Sequence, residues 1–250
     1  MWSFFYCFSP FFGLTKGPGF VIIKIGFETY FYCINHMIIT WQGQSCFKIQ
    51  DKIGPDGVTI VTDPFDKETG LKVPNFEADI ITVSHQHHDH NNTAALRGTP
   101  FIIDCAGEYD YKGILVEGID SFHDEKNGAE RGANVMYRLE VDDISIAHLG
   151  DLGHVLDNAQ LEKLVGTDIL LIPVGGKYTI DAKKAVEVIS QIEPRIVIPM
   201  HYKVKDLNMD IDGLDKFIKE LGLTPTYEEK LKISKKDLPQ EDMELVILSI

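Results

Sequence analysis

"VSHQHHDHNN" (residues 83–92) closes the apolar run "DIITVS" (79–84) with four histidines and an aspartate inside ten positions. Neutral imidazoles and carboxylates are the usual non-thiolate ligands of zinc, and a catalytic site leaves a coordination position open for water. In a strand or extended turn, residues 85, 87 and 89 share one side. His85 and His87 are then expected to grip one ion while Asp89 points to a neighbouring position. His90 swings to the other side, which suits a second ion. Two ions need more ligands than this loop owns.

The missing ligands stand at the ends of other apolar runs. His123 follows "ILVEGIDSF" (114–122), Asp151 follows "ISIAHLG" (144–150) and His201 follows "RIVIPM" (195–200). A rigid sheet holds side chains in a fixed constellation where its strands meet their loops. Asp151 has two oxygens and is able to bridge two ions. Further strand-length runs are "VTIVTD" (58–63), "FIID" (101–104), "DILLIPV" (168–174) and "ELVILSI" (244–250). Runs apolar on both faces suggest sheets covered by helices. Helix starts are signalled at Asp157, with Gln160 three residues on, at Asp181, with a stripe of Ala182, Ala185, Val186, Ile189 and Ile192 ending before Pro194, and at Asp212, running to Gly222. Strands interleaved with helices predict an α/β layered fold.

The chain has 250 residues and a net charge of -14, which disfavours unassisted binding to nucleic acid or an anionic membrane. Four cysteines without CxxC spacing indicate neither a disulfide framework nor a thiolate zinc site, so a cytoplasmic setting is expected. Residues 1–36 hold 12 of the 25 aromatics and only three charged residues, Lys16, Lys24 and Glu28. Glycine and proline interrupt every apolar run there, unlike a signal peptide or a spanning helix of about 20 residues. The composition supports neither disorder nor a tidy element. From Met37, "MIITWQGQSCFKIQ" alternates like a strand. Residues 1–36 are therefore expected to be an atypical extension, either upstream of a true start at Met37 or a cover for an apolar patch, with 37–250 as one domain.

The ordered set "SHQHHDH", "SFHD", "HLGD" and "IPMHY" resembles the metallo-β-lactamase superfamily, in particular its small single-domain branch that includes L-ascorbate-6-phosphate lactonase-like proteins. The likeness runs from about Ile38 to Ile250 and takes in "DPF", "AGEYDYKG", "RGANVMYRLE" and "LLIPVGGKYTIDA". It implies a four-layer αββα sandwich with a two-metal site along one edge. His85, His87 and His123 would bind one metal, Asp89, His90 and His201 the other, and Asp151 would bridge. Zinc is the expected metal and manganese the alternative.

A hydroxide held between two such ions is available near neutral pH, because the metal lowers the pKa of its water to about 7. With the carboxylates of Asp89 and Asp151, the two residues expected to carry catalytic roles, the loaded site keeps a net charge of about +1. It should attract a small anionic substrate and cleave an ester, lactone or phosphoester. The rival readings are a nuclease or phosphodiesterase of the same fold and a non-catalytic metal-binding protein. Beyond a small-molecule substrate no nucleic-acid or membrane partner is expected, and association into a homo-oligomer is left open.

Other residues allow two readings. Asp63 either orients a ligand histidine or shapes the Asp-Pro turn. His148 is expected to be packed or to support a ligand, and His154 has no assigned role. Lys177 in "GGKYT" either meets a substrate anion or is a solvated loop lysine. "KLKISKK" (230–236) reads as a solvated strand face.

Overall fold

The computed structural model describes residues 12–17, 20–25, 28–33, 36–51 and 57–250, with side chains from His36 onward. Two units are distinguished, Met1–His36 and Met37–Ile250. In the first, β1 (Phe12–Gly17), β2 (Phe20–Ile25) and β3 (Glu28–Cys33) pair antiparallel in that order, a regular element where composition suggested none. The expectations about a start at Met37 and about covering an apolar patch concern residues 1–11 and side chains that lie outside the described residues.

In the second unit, "MIITWQGQSCFKIQ" forms two strands rather than one, β4 (Met37–Gly43) and β5 (Cys46–Asp51), paired as an antiparallel hairpin. Gln44 at φ 51° supplies the positive φ that the first residue of a two-residue hairpin turn demands, and Gly43 at φ 106° ends β4 beside an irregularity in register. Burial alternates along β4, as in a strand with one face on the core.

The chain continues through β6 (Val58–Thr62), β7 (Ile80–Thr82), β8 (Phe101–Ile103), β9 (Gly107–Tyr111), β10 (Ile114–Phe122), β11 (Ala133–Val141) and β12 (Ile144–His148). Then follow α1 (Asn158–Leu164), β13 (Ile169–Pro173), α2 (Ala182–Ile192), β14 (Ile196–Met200), α3 (Leu214–Leu221), β15 (Thr226–Glu228), β16 (Leu231–Ile233) and β17 (Glu244–Leu248). One sheet has the order β16-β4-β5-β6-β7-β8 and the other β15-β17-β14-β13-β12-β11-β10-β9. Strands β6, β7 and β8 are parallel, as are β12, β13 and β14. Every residue of β12, β13 and β14 is buried, because parallel strands joined by helices are covered on both faces.

Helices α1, α2 and α3 connect strands of the eight-stranded sheet and form the helical layer on its side of the αββα-type sandwich. Among the described residues of this unit, the other outer face carries the 3₁₀ turns Lys67–Thr69 and Thr93–Ala95, over a small core of Val61, Phe65, Ile81, Val83 and Leu96. Asp157 and Gln160 form the expected reciprocal cap of α1. Asp181 caps α2, whose expected stripe packs on the core, Ala185, Ile189 and Ile192 buried and Ala182 and Val186 half-buried, with Val188 joining it. α3 starts at Leu214 instead of Asp212, because the Asp212 backbone pairs with Gly175 and Lys203 in the preceding loop. "KLKISKK" contributes β16.

The main core lies between the sheets. Tyr137 of β11 is fully buried there, and its hydroxyl reaches the carbonyls of Val83 at 2.8 Å and Ile103 at 3.1 Å across the sandwich. This contact ties the middle of one sheet to the edge where β7 and β8 end. No helix among the described residues is long and apolar enough to cross a membrane.

Candidate metal centre

All the expected ligands follow the C-terminal ends of strands: β7 leads to His85, β10 to His123, β12 to Asp151 and β14 to His201. Since β7 belongs to one sheet and the others to its partner, the ligands meet where the two sheets share an edge. His85 and His123, from opposite sheets, have ring centroids 4.8 Å apart. Ligand atoms lie within 4.8 Å of one another in three groups: His85, His87 and His123; His85, His90 and Asp151; and Asp89, His90 and His201.

The loop that carries four of these residues is not extended. His90 N and Asn91 N both donate to His87 O, so residues 87–91 form a turn, and the alternation argument does not apply to it. The turn instead sets the His85 ring edge-on to His87 and tilted against His90, with centroids 4.5 and 4.2 Å apart. His88 points away, with Nδ1 3.2 Å from Asp66.

Asp151 occupies the middle. Its Oδ2 lies 3.3 Å from His90 Nε2, 3.3 Å from His123 Nε2 and 3.2 Å from His201 Nε2. Its backbone N donates to Asn134 Oδ1 at 2.9 Å, and the Asn134 amide in turn donates to Leu149 O and Ser121 Oγ. Asn134 lies in "RGANVMYRLE", a segment that carries the family likeness but marks no site residue by itself. Gly150 makes this closeness possible: at φ 55°, a Cβ there would stand 2.4 Å from Asn134 Oδ1.

Asp63 orients the cluster, which decides between its two readings. Its Oδ1 accepts from Ser84 N at 2.7 Å, and its Oδ2 accepts from Ser84 Oγ at 2.6 Å and meets His90 Nδ1 at 2.9 Å. The bond to His90 Nδ1 leaves Nε2 free for a ligand, the arrangement typical of metal-binding histidines. Ser84 also contacts His85 Nδ1 at 2.9 Å.

His148 and His154 are structural. His148 Nε2 bonds Ser45 O at 2.8 Å, and its ring meets Phe47 edge-on. His154 accepts from Phe122 N through Nε2 and bonds Val155 O through Nδ1, bracing the strand end that precedes His123. Lys177 forms an exposed ion pair with Asp210.

Charge and burial oppose one another here. Burial pushes the His85 imidazole down to about 3, which keeps it neutral and its lone pair available. Burial also works against a charge on His90, yet Asp151 and Asp89 lift its pKa well above the ordinary value. Burial would raise Asp151, but His201 and His90 hold it well below the carboxylate range.

The donor set fits divalent metal. His85 Nε2, His90 Nε2, His123 Nδ1 and both ring nitrogens of His201 are buried without a hydrogen-bond partner. Buried polar atoms left unsatisfied in one spot are unfavourable unless a ligand completes them.

Known proteins resemble this chain. The Beta-lactamase superfamily domain family matches residues 38–201. The UPF0173 metal-dependent hydrolase of Thermoplasma acidophilum is 31% identical over 199 residues, 70% of this chain and 87% of that protein. A Thermotoga maritima structure, assigned as a Zn-dependent hydrolase of the metallo-beta-lactamase superfamily, is 38% identical, covers 85% of this chain and 98% of its own, and superposes with a TM-score of 0.70. The metallo hydrolase Igni18 of Ignicoccus hospitalis shares the fold at 20% identity and a TM-score of 0.56, over 75% of this chain and 91% of that one. The chain thus belongs to the beta-lactamase superfamily, in its UPF0173 group of metal-dependent hydrolases.

Proposed function

We propose that this hydrolase works with two divalent ions, zinc before manganese, on an ester, lactone or phosphoester bond of a small anionic substrate. His85, His87 and His123 would hold one ion, Asp89, His90 and His201 the other, and Asp151 would serve both. The observation that carries this reading is the placement of Asp151 Oδ2 within 3.3 Å of imidazoles from both sets.

Bound divalent ions supply a water acidified towards neutral pH and a positive centre for charge that develops on the scissile group. The chain's own residues do the rest. Asp63 and Ser84 fix the rings of His90 and His85, so the site needs little reorganisation during the reaction. His87 is the exposed member of the ligand set and marks the side from which substrate enters. The pairing of Lys177 with Asp210 neutralises that lysine, so the anion must be attracted by the metal centre itself. The net charge of -14 keeps nucleic acid a poor partner.

The test is elemental analysis of unchelated protein, followed by hydrolysis assays on phosphorylated lactones, simple esters and cyclic phosphodiesters. Two ions per chain and turnover abolished in His87→Ala support the reading. Equal rates in wild type and His87→Ala would sink it. Cleavage confined to RNA or DNA, with binding that falls steeply with salt, would favour a nuclease of the same fold.

A further inference from the structure

The turn between β4 and β5 consists of Gln44 and Ser45, both buried, and lies forty residues before the histidine loop. Its backbone and side chains reach three of the seven residues assigned to the ions. Gln44 O accepts from His201 N at 3.1 Å and from Trp41 Nε1 at 2.9 Å. Gln44 Nε2 donates to Asp89 Oδ2 at 3.1 Å, and Met209 Sδ lies against the same nitrogen. Ser45 Oγ stands 3.5 Å from Asp151 Oδ1, at the limit of a hydrogen bond. Ser45 O is held in turn by Thr62 Oγ1 at 2.9 Å and His148 Nε2 at 2.8 Å.

The side chain of Gln44 is poorly explained by folding alone. Only 1% of the residue is exposed, its Oε1 has no hydrogen-bond partner, and its backbone sits at φ 51°. A buried amide with an unsatisfied carbonyl disfavours the folded state. What the amide provides is one directed donor to a carboxylate oxygen that also lies 3.3 Å from His90 Nε2. A neutral donor fixes the rotamer of Asp89 without supplying a competing charge.

We propose that Gln44 is a positioning residue for one ion of the pair, the one assigned to Asp89, His90 and His201. It bonds the Asp89 side chain and the His201 backbone, and it bonds none of His85, His87 and His123. The effect of losing it is therefore selective. This inference rests on the two-ion reading above.

The experiment is calorimetric titration of chelator-stripped protein with zinc, comparing wild type, Gln44→Met, Asp89→Asn and the double variant. Methionine keeps the volume of glutamine, removes the unsatisfied carbonyl and cannot donate. Two binding steps are expected in wild type. In Gln44→Met one step should weaken about 10- to 100-fold, the range seen when an outer hydrogen bond to a ligand is lost. The other step should stay within about twofold, and the urea midpoint of the stripped protein should not fall. In the Asp89→Asn background, Gln44→Met should add nothing, since the donor acts through that carboxylate. Unchanged affinities, equal weakening of both steps, or a lower urea midpoint with both steps weakened would reduce Gln44 to a turn former. A wild-type chain that takes up a single ion overturns the two-ion reading itself, and this is seen before any variant is compared.

Discussion

Asp63 and His90 meet at 2.9 Å with neither side chain exposed to solvent, joining the end of β6 to the turn beyond β7. The aspartate sits at φ 38°, an unusual backbone conformation that asparagine tolerates well. Asp63→Asn therefore keeps the shape and removes the charge behind the imidazole. Metal affinity should fall about 10- to 100-fold. Competition against a chromophoric chelator reads this directly, and an unchanged affinity would mean that His90 is oriented by packing alone.

Gly153 has no room for a side chain. A Cβ there would lie 2.3 Å from both His123 C and Asp124 N, backbone atoms that cannot rotate aside. Gly153→Ala should displace His123, cost about 1–3 kcal/mol in overpacking, and lower metal retention. Gly213→Ala, where nothing lies within 4 Å, is the control and should change neither. Thermal melting with and without metal distinguishes the two variants.

Tyr137→Phe removes the hydroxyl that links β11 to the strand ends of the opposite sheet. Loss of a buried hydrogen bond that leaves a carbonyl unsatisfied costs about 1–3 kcal/mol. The urea midpoint should drop accordingly. Because Val83 lies two residues before His85, metal affinity should weaken modestly as well.

Asp79 provides a pH test away from the metal centre. Burial would raise its pKa, but Lys112 Nζ at 2.5 Å and Thr59 N at 2.8 Å hold it below the ordinary value of 3.8. A carboxylate depressed in the folded state stabilises the protein above its unfolded pKa, and that stability is lost as pH falls through the folded value. Resistance of wild type to denaturation should weaken below about pH 4, and Asp79→Asn should flatten that part of the profile. Identical acid limbs would show that the Lys112 contact contributes nothing in solution.

Removing metal should lower the melting temperature, since an ion that binds only the folded chain stabilises it by about 2.7 kcal/mol at a hundred times its Kd. Re-addition of zinc should restore the transition in wild type. His85→Ala, with one ligand gone, should show a smaller recovery.

Much of this was legible beforehand, for identifiable reasons. Parallel strands buried on both faces leave uninterrupted runs such as "DILLIPV", and side-chain caps leave local signatures such as Asp157 with Gln160. The start of α3 was misplaced because the Asp212 backbone is committed to Gly175 and Lys203, partners distant in the chain. The hairpin within residues 37–51 was read as one strand because its turn residues, Gln44 and Ser45, are not typical turn formers. Asn134, Ser84 and Gln44 escaped notice since each acts through hydrogen bonds to residues far away or already marked.

By itself, the order of residues determined which side chains are chemically able to bind metal and that each stands just past an apolar strand, because ligand type and strand periodicity are local properties. Only the tertiary structure decided that Asp151 lies within 3.3 Å of His90, His123 and His201, that Asp63 stands behind His90 and that His148 and His154 serve the scaffold. Those outcomes depend on which strand ends two packed sheets bring to a common edge, and distances of a few ångströms across that edge are set by packing between residues remote in the chain.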